Sequence, residues 1–203
     1  MSSLISERAL NSPQKLVLYP PITDEEFDRL CAENEGVRIE RTSEGAIFMN
    51  PPTVFLTGNG NAEIITQLQN WWKSHRCGRV IDSNTHFVLP DTSIKSPDAA
   101  YISPEQLKGL TLAELSGKAP FCPVFVVELL SETDSYSEVR NKMLEWQKNG
   151  TLLGWLIDPY KRVVHISAAG CEPRTFHESH LAGEGPVAGF VLDLSEVYHC
   201  YEV

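Results

Sequence analysis

One stretch of the 203-residue chain restricts the fold more than any other: residues 124–130 read Val-Phe-Val-Val-Glu-Leu-Leu. Apolar, often β-branched side chains at nearly every position indicate a strand that is buried on both faces, in the middle of a sheet. Glu128 interrupts this run. An ionised carboxylate there carries a large desolvation penalty unless a cation or several donors meet it. The run therefore predicts a central strand whose Glu128 either has a buried partner or ends the strand and faces solvent.

A second acid, Asp98, opens a predicted strand at residues 98–102, directly after the Ser96-Pro97 step. By itself a Pro-Asp pair is common in turns. If this strand and the one carrying Glu128 are neighbours, however, the two carboxylates converge at one edge of the sheet. Two such charges about 4 Å apart repel by roughly 4 kcal/mol at an effective dielectric near 20, which favours a proton or a hard cation between them. Magnesium suits oxygen ligands of this kind.

A candidate cation lies on the helix predicted at residues 136–149. At about 100° per residue, Val139, Met143 and Trp146 form one apolar arc, and Lys142 falls at its border. Its ammonium can therefore reach over the sheet edge towards the acids. The alternative is a lysine whose stem covers apolar surface while its charge stays in water.

Periodicity and turn residues predict the other elements. They are a helix that follows the Thr23–Glu26 capping-box spacing and ends at Gly36; a β-hairpin of residues 37–40 and 46–49; a helix over 61–75; strands at 79–82 and 86–89; a short helix opened by Ser103-Pro104; a Ser135–Glu138 capping box before the helix that carries Lys142; and strands at 153–157 and 162–166.

The length suits one domain, predicted at residues 16–203 after a flexible N-terminal arm of residues 1–15. The sequence has no apolar run long enough to span a membrane and no secretory signal, which predicts a cytoplasmic protein. Five widely spaced cysteines without a C-x-x-C pair predict reduced thiols. His177 and His180, near Cys171, fit solvated loop residues better than a metal site, so no zinc is predicted.

The charge balance argues against a nucleic-acid enzyme. A formal net charge of -10 and a pI of about 5.0 oppose long-range attraction to a polyphosphate chain. Any nuclease assignment must therefore rest on the site itself.

Several segments together resemble a known family. They are Glu40 with Gly45, the segment 89–101 containing Ser96-Pro97-Asp98-Ala99, residues 127–131, Lys142-Met143, and residues 149–159. Their joint order resembles the putative restriction endonuclease-like family, formerly catalogued as a domain of unknown function, within the PD-(D/E)XK nuclease superfamily. The resemblance covers roughly residues 20–167. It implies an α/β fold with a restriction endonuclease-like core, in which helices flank a mixed central β-sheet, with an added N-terminal hairpin and C-terminal strands.

The resemblance also implies roles for residues. Asp98 and Glu128 would bind a divalent metal. The superfamily lysine two positions after the second acid is replaced here by Leu130, and Lys142 on the following helix is the residue that matches instead. Glu40 matches another recurring acid of the family; the alternative role for Glu40 is an exposed charge on the hairpin. Glu63 lies in a region where related nucleases place an accessory acid, but it has no specific match.

The functional hypothesis is a Mg²⁺-dependent endonuclease, with Mn²⁺ as a possible substitute, that hydrolyses phosphodiester bonds of nucleic acid, with DNA favoured over RNA. Asp98, Glu128, Lys142 and Glu40 are the predicted catalytic residues, and a homodimer is a plausible assembly. One alternative is a catalytically degenerate nuclease fold that binds nucleic acid or protein. Another is a sugar hydrolase built on the carboxylate pair, although no aromatic sugar platform accompanies it.

Overall fold

A computed structural model describes residues 14–202, and its largest sheet has six strands in the order β11-β10-β9-β8-β7-β4. Only β8 and β9 are parallel among these pairs, so the sheet is mixed. The predicted central position of the 124–130 run is confirmed, because β8 lies inside the sheet and all five of its residues are buried. The strands are β4 (Arg79–Ile81), β7 (Ala99–Ile102), β8 (Phe125–Leu129), β9 (Leu153–Asp158), β10 (Val163–Ala168) and β11 (Arg174–Phe176).

A second sheet contains five strands in the order β1-β3-β2-β6-β5, and its hairpin confirms the one predicted. Gly45 turns this hairpin with φ +84°, a conformation that favours glycine. The strands are β1 (Gln14–Leu16), β2 (Arg38–Arg41), β3 (Ile47–Asn50), β5 (Phe87–Val88) and β6 (Ile94–Lys95). Residues 14 and 15, which were expected in the arm, pair with β3 in β1; the rest of the predicted arm, residues 1–13, lies outside the described residues.

The helices are α1 (Asp24–Glu33), α2 (Phe55–His75), α3 (Pro104–Leu107), α4 (Leu112–Leu115), α5 (Tyr136–Lys148) and α6 (Leu194–His199). The Thr23–Glu26 capping box on α1 forms as predicted. The one predicted at Ser135 does not, because its hydroxyl lies 2.8 Å from that of Ser137 and makes no cap bond. None of the helices of the described chain could cross a membrane.

Two helices cover opposite faces of the six-stranded sheet. On one face α2 packs Ile64 and Leu68 against a core that includes Val127 and Trp155. On the other face α5 packs Met143 and Trp146 against alternate residues of the same strands, including Val126 and Leu156. The sheet therefore has two separate apolar layers, as the predicted arrangement of a mixed sheet flanked by helices requires.

Gly154 in β9 leaves room for a side chain of α5. A Cβ atom at this position would collide with the terminal methyl group of Met143, which would have to move. Lys142 is the residue that precedes Met143 on that helix. The missing side chain at Gly154 therefore accommodates the packing of Met143 next to Lys142.

Three parts of the fold differ from the sequence predictions. Helix α2 begins at Phe55, six residues before the predicted start, and includes Gly58 and Gly60, which tertiary packing keeps helical despite their low propensity. Strand β6 and helix α4 are too short for a periodic pattern. The C-terminal region adds the β12 (His180–Ala182) and β13 (Val191–Asp193) pair and a 3-10 helix (Gly185–Val187).

Candidate active site

The two predicted acids lie beside each other: Glu128 is in β8, and Asp98 directly precedes the adjacent strand β7. Ala99 pairs with Val127, and extending this antiparallel register by one residue places Asp98 opposite Glu128. Asp98 donates its backbone N–H to the Val127 carbonyl at 3.0 Å, and its Oδ2 accepts the Leu129 N–H at 2.8 Å. Side chains opposite each other on paired strands lie on one face. The expected convergence of the acids at one sheet edge is therefore present in the backbone itself.

Glu128 is buried, with 3% of its surface exposed, so the solvent-facing alternative is wrong. Its carboxylate has two partners from α5. The Lys142 ammonium lies 3.1 Å from Oε1 and donates to Oε2 at 3.2 Å, and the indole N–H of Trp146 donates to Oε1 at 2.7 Å. A cation and a neutral donor therefore offset part of the desolvation penalty that the sequence indicated.

Lys142 is enclosed rather than solvated. Its ammonium also lies 2.9 Å from Glu40 Oε1 and donates to the Ser96 carbonyl at 2.7 Å, and 14% of its side chain is exposed. The alternative of a surface lysine with a solvated charge is wrong. Because all three contacts come from different strands or loops, the ammonium links α5 to both sheets.

Glu40 reaches this point because the second sheet docks beside the first. Strand β2 pairs with β6 through Arg41 and Ile94, only a few residues before Ser96. Glu40 Oε1 accepts the Ser96 N–H at 3.1 Å, and the residue is 5% exposed. The alternative of an exposed hairpin charge is wrong. We call Glu40, Asp98, Glu128 and Lys142 the acid–lysine centre.

Arg38 is a site residue that the sequence did not predict. Its Nη1 lies 2.9 Å from Asp98 Oδ1, which gives that acid a cation of its own. A signal was available, because residues two apart on a strand share a face, and Arg38 precedes Glu40 by two. The hydrogen-bonding role of Trp146 was also missed, since the apolar arc accounts for its ring without involving its N–H.

The two glutamates of the centre have opposite pKa shifts. Burial raises the pKa of Glu40, but the ammonium of Lys142 and the guanidinium of Arg38 outweigh it and hold that pKa at about 2. Burial raises the pKa of Glu128 to about 7; Lys142 opposes this rise, and the nearby carboxylates of Asp98 and Glu40 add to it. Glu40 is therefore the permanent anion and Glu128 the titrating one near neutral pH.

Lys142 and its neighbour at the site, Arg38, both stay charged. Burial lowers the pKa of Lys142, but the carboxylates of Glu128 and Glu40 more than compensate, and the net shift is upward. The pKa of Arg38 is likewise raised, because Asp98 and Glu40 outweigh its desolvation. Lys142 therefore acts as a hydrogen-bond donor at neutral pH and has no free lone pair to accept a proton.

The donor set fits magnesium better than a transition metal. Within residues 14–202, no three His, Cys, Asp or Glu side chains are grouped so that they could hold a metal ion. Mg²⁺ commonly takes only one or two carboxylates and completes its shell with waters and substrate phosphate. Asp98 and Glu128 would supply two carboxylates of that type, so their chemistry fits the ion. Arg38 and Lys142 are their charged partners within the protein.

The remaining candidates lie away from this centre. Glu63, on α2, accepts a hydrogen bond from Gln67 at 2.9 Å. His180 lies on β12, 3.6 Å from Asp193. The five cysteines form no disulfide among the described residues.

An open pocket of about 250 Å³ borders the acid–lysine centre on the side of α2. Asp98 and Arg38 line it, together with the first turn of the helix. We call it the α2 pocket. Its lining residues are Arg38, Asn50, Pro51, Pro52, Thr53, Val54, Thr57, Asp98, Leu129, Ser131, Thr133 and Asp134.

A mixed sheet flanked by helices, with two strand-borne acids and a lysine at its edge, is the arrangement of restriction endonuclease-like proteins. The chain belongs to the family described as "Uma2: Putative restriction endonuclease", whose model matches residues 24–195. It is also similar to the crystal structure of a putative nuclease belonging to DUF820 from Anabaena variabilis ATCC 29413, with a TM-score of 0.73 and 22% identity over 89% of this chain and 99% of that one. No curated protein matches the chain. Family membership supports a nuclease.

Proposed function

We propose that this chain is a Mg²⁺-dependent endonuclease that hydrolyses phosphodiester bonds of DNA, with Mn²⁺ as a substitute ion. The observation that carries the proposal is the place of the Lys142 ammonium, 3.1 Å from Glu128. The usual lysine position holds Leu130, yet a helix from elsewhere delivers the same charged group to the second acid. Nuclease chemistry needs an ammonium near the attacking water and sets no condition on its place in the sequence.

Asp98 and Glu128 would hold the ion. When bound, Mg²⁺ polarises a phosphate oxygen and lowers the pKa of a coordinated water. Lys142, which remains protonated, orients the attacking water and stabilises negative charge that develops on the phosphate. Glu40 is a positioning residue, since its carboxylate holds Lys142 at 2.9 Å and maintains the ammonium's charge.

A homodimer and a cytoplasmic location remain expectations from the sequence and form part of the same proposal. A dimer would let two centres address two strands of a duplex. The acidic net charge of the protein repels DNA at long range. The association of the protein with DNA should therefore be slow unless bound cations reduce the negative charge near the site.

The direct test is to incubate the purified protein with supercoiled plasmid and with oligonucleotides in Mg²⁺, in Mn²⁺ and in EDTA. Nicking or cleavage is expected with either ion and not in EDTA. Glu128→Ala and Lys142→Met should lower the cleavage rate at least a hundredfold, because each removes a group that acts on the reacting phosphate or water.

Two exposed residues provide matched controls. Lys148→Met removes a lysine from the same helix, and Glu25→Ala removes an exposed acid from α1. Both should cleave at the wild-type rate. Cleavage that persists equally in the Glu128 and Lys142 variants would exclude this centre as the source of activity.

One observation favours the alternative of a non-catalytic binding module. Arg38 already pairs with Asp98 and Lys142 with Glu128, so each of these two acids has a cationic partner within the protein. Calorimetric titration with Mg²⁺ and Mn²⁺ distinguishes the nuclease from the binding module. A working nuclease centre binds one of these ions, and Glu128→Gln weakens that binding. A degenerate centre binds neither ion.

A further inference from the structure

The buried indole of Trp146 donates its single N–H to one of the predicted catalytic acids. Trp146 is completely buried, and its Nε1 donates to Glu128 Oε1 at 2.7 Å. A buried tryptophan needs an acceptor for this one donor, and a backbone carbonyl would meet that need equally well. Packing by itself would be satisfied by a phenylalanine. The choice of a carboxylate as acceptor therefore connects a core residue to the acid–lysine centre.

The two oxygens of the Glu128 carboxylate have unequal surroundings. Oε1 accepts the indole N–H of Trp146 and also lies 3.1 Å from the Lys142 ammonium. Within residues 14–202, the hydrogen bonds of Oε2 are limited to one from Lys142, at 3.2 Å. A carboxylate oxygen can accept about two hydrogen bonds or ligands. Oε1 is therefore fully engaged within the protein, whereas Oε2 can still accept a further ligand.

The two donors to Glu128 differ in how firmly they are held. The Lys142 ammonium is shared with Glu40 and a backbone carbonyl, and it ends a flexible side chain. The Trp146 ring packs edge-on against Phe87, with centroids 6.3 Å apart, inside the apolar layer between α5 and the sheet. An indole is rigid and donates in one direction only. Trp146 is therefore the donor that sets the orientation of the carboxylate.

Helix α5 brings both donors to the same carboxylate because Lys142 and Trp146 are four residues apart and share a helix face. The ammonium can then turn towards a substrate phosphate without leaving Glu128 unpaired, because the indole bond remains. A buried carboxylate without any donor would carry the full cost of desolvation. The pair of donors thus separates two tasks: the indole keeps Glu128 in place while the lysine acts on the substrate.

We propose that Trp146 is a positioning residue of the acid–lysine centre, whose N–H holds Oε1 of Glu128 and so leaves Oε2 as the oxygen that binds the divalent ion. The inference rests on the proposed function for the identity of that ion. Trp146 contacts neither the ion nor the substrate and acts through Glu128 alone. Groups that hydrogen-bond a metal ligand commonly tune metal affinity in this way.

The first test detects the hydrogen bond in the metal-free protein. The full chain is labelled with ¹⁵N and measured in EDTA, where its four tryptophans give four indole N–H signals. The signal that Trp146→Phe lacks belongs to Trp146, and it should move most in Glu128→Gln, because a carboxamide is a weaker acceptor than a carboxylate. Glu25→Ala removes an exposed acid of α1 and should leave all four signals in place.

The second test measures the effect on the ion. Titration of the wild type with Mg²⁺ should leave the Trp146 indole signal close to its hydrogen-bonded position, because the ion binds through the other oxygen. Calorimetry should show Mn²⁺ binding about tenfold more weakly to Trp146→Phe than to the wild type, as is common when a metal ligand loses its hydrogen-bond partner. With plasmid DNA, kcat of this variant should fall about tenfold while KM stays within about twofold.

Trp155→Phe is the matched control. It makes the same change to a buried tryptophan of the same sheet, whose ring packs against Phe125 and Phe190 on the opposite face. This variant should lose a comparable amount of stability and keep the Mn²⁺ affinity and kcat of the wild type. An equal loss of affinity in both tryptophan variants would overturn the inference, because it would come from general weakening of the core.

Three further results would overturn it: an indole signal that ignores Glu128→Gln, a wild-type signal that Mg²⁺ shifts as far as Glu128→Gln does, and equal Mn²⁺ affinity in the wild type and Trp146→Phe. If Trp146→Phe does not fold, through-space contacts with Phe87 assign the signal, and the first two measurements decide. An ion that binds as expected while DNA stays intact would refute only the nuclease activity. A wild type that binds neither ion would refute the metal site and this role of Trp146 together.

Discussion

The two faces of the six-stranded sheet bury different kinds of polar group. On the α5 face, Lys142 and Trp146 pair with buried acids through hydrogen bonds and ion pairs of 2.7–3.2 Å. On the α2 face the buried polar groups are neutral: the hydroxyls of Thr57 and Tyr201 interact with each other, and Asn61 Oδ1 has no hydrogen-bond partner among the described residues. Asp98 lies where the faces meet: Leu129 N–H and Arg38 hold its carboxylate, and it also lines the α2 pocket.

This difference separates two roles that polar residues have inside a protein. Paired charges on the α5 face hold their own geometry, and breaking one pair leaves an uncompensated buried charge. The buried polar groups on the α2 face are neutral, so losing one of their hydrogen bonds costs less than leaving a buried charge unpaired. Substitutions on the two faces should therefore change stability by different amounts.

The largest effect should come from Lys142→Met, which would break the paired face. At pH 8 in EDTA this variant leaves Glu40 and Glu128 without their shared cation, and the free energy of unfolding should fall by about 3–5 kcal/mol. Urea denaturation measures it. Lys148→Met on the same helix should stay within about 0.5 kcal/mol of the wild type. A loss below about 1 kcal/mol for the Lys142 variant would mean that the centre does not depend on its lysine.

The next effect is a pH dependence that belongs to Glu128. Its folded pKa of about 7 exceeds the ordinary value of 4.5, so its stabilising contribution is complete below pH 4.5 and is lost as the pH rises through 7. Relative to Glu128→Gln, the wild type in EDTA should lose on the order of 3 kcal/mol between pH 4.5 and pH 8, at about 1.4 kcal/mol per pKa unit. Denaturation of both proteins across this range gives the difference directly.

Glu40 provides the internal contrast for that measurement. Its pKa of about 2 lies below the ordinary 4.5, so its contribution is present above pH 4.5 and is lost as the pH falls through 2. Glu40→Gln should therefore alter the acid limb of the stability profile and leave the change between pH 4.5 and pH 8 in place. A Glu128→Gln profile that runs parallel to the wild type in that upper range would contradict the shift assigned to Glu128.

The smallest effect is expected on the α2 face. Thr57→Val removes a buried hydroxyl that interacts with the hydroxyls of Tyr160 and Tyr201, so one neutral hydrogen bond is lost and no cavity forms. The free energy of unfolding should therefore fall by about 1 kcal/mol or less. Thermal and urea unfolding measure the change, with Thr66→Val as the neutral control. A loss as large as that of Lys142→Met would mean that both faces depend equally on their polar groups.

Most of the sheet and part of the site followed from the sequence because the determining signals were local. The apolar run around Glu128 defined a central strand, and the step before Asp98 defined the start of its neighbour. The apolar arc of α5 placed Lys142 at the border of the buried face. Each signal depends on a few adjacent residues, which is the range over which periodicity is informative.

What the sequence left open depends on contacts between distant segments. Glu40 is buried only because β2 meets the two-residue strand β6 through a single pair, Arg41 and Ile94, and no periodic pattern marks so brief a contact. The partnership of Arg38 with Asp98 joins residues 60 positions apart. The early start of α2 likewise follows from packing, since propensity alone disfavours its glycines.

Gly154 has a consequence for the helix that carries Lys142. The bare backbone at Gly154 accepts the terminal methyl group of Met143, so an alanine there would require the methionine side chain to take another rotamer. Met143 follows Lys142 directly on α5. A residue without a side chain on β9 thus contributes to the surroundings of the site by leaving a space that its neighbour fills.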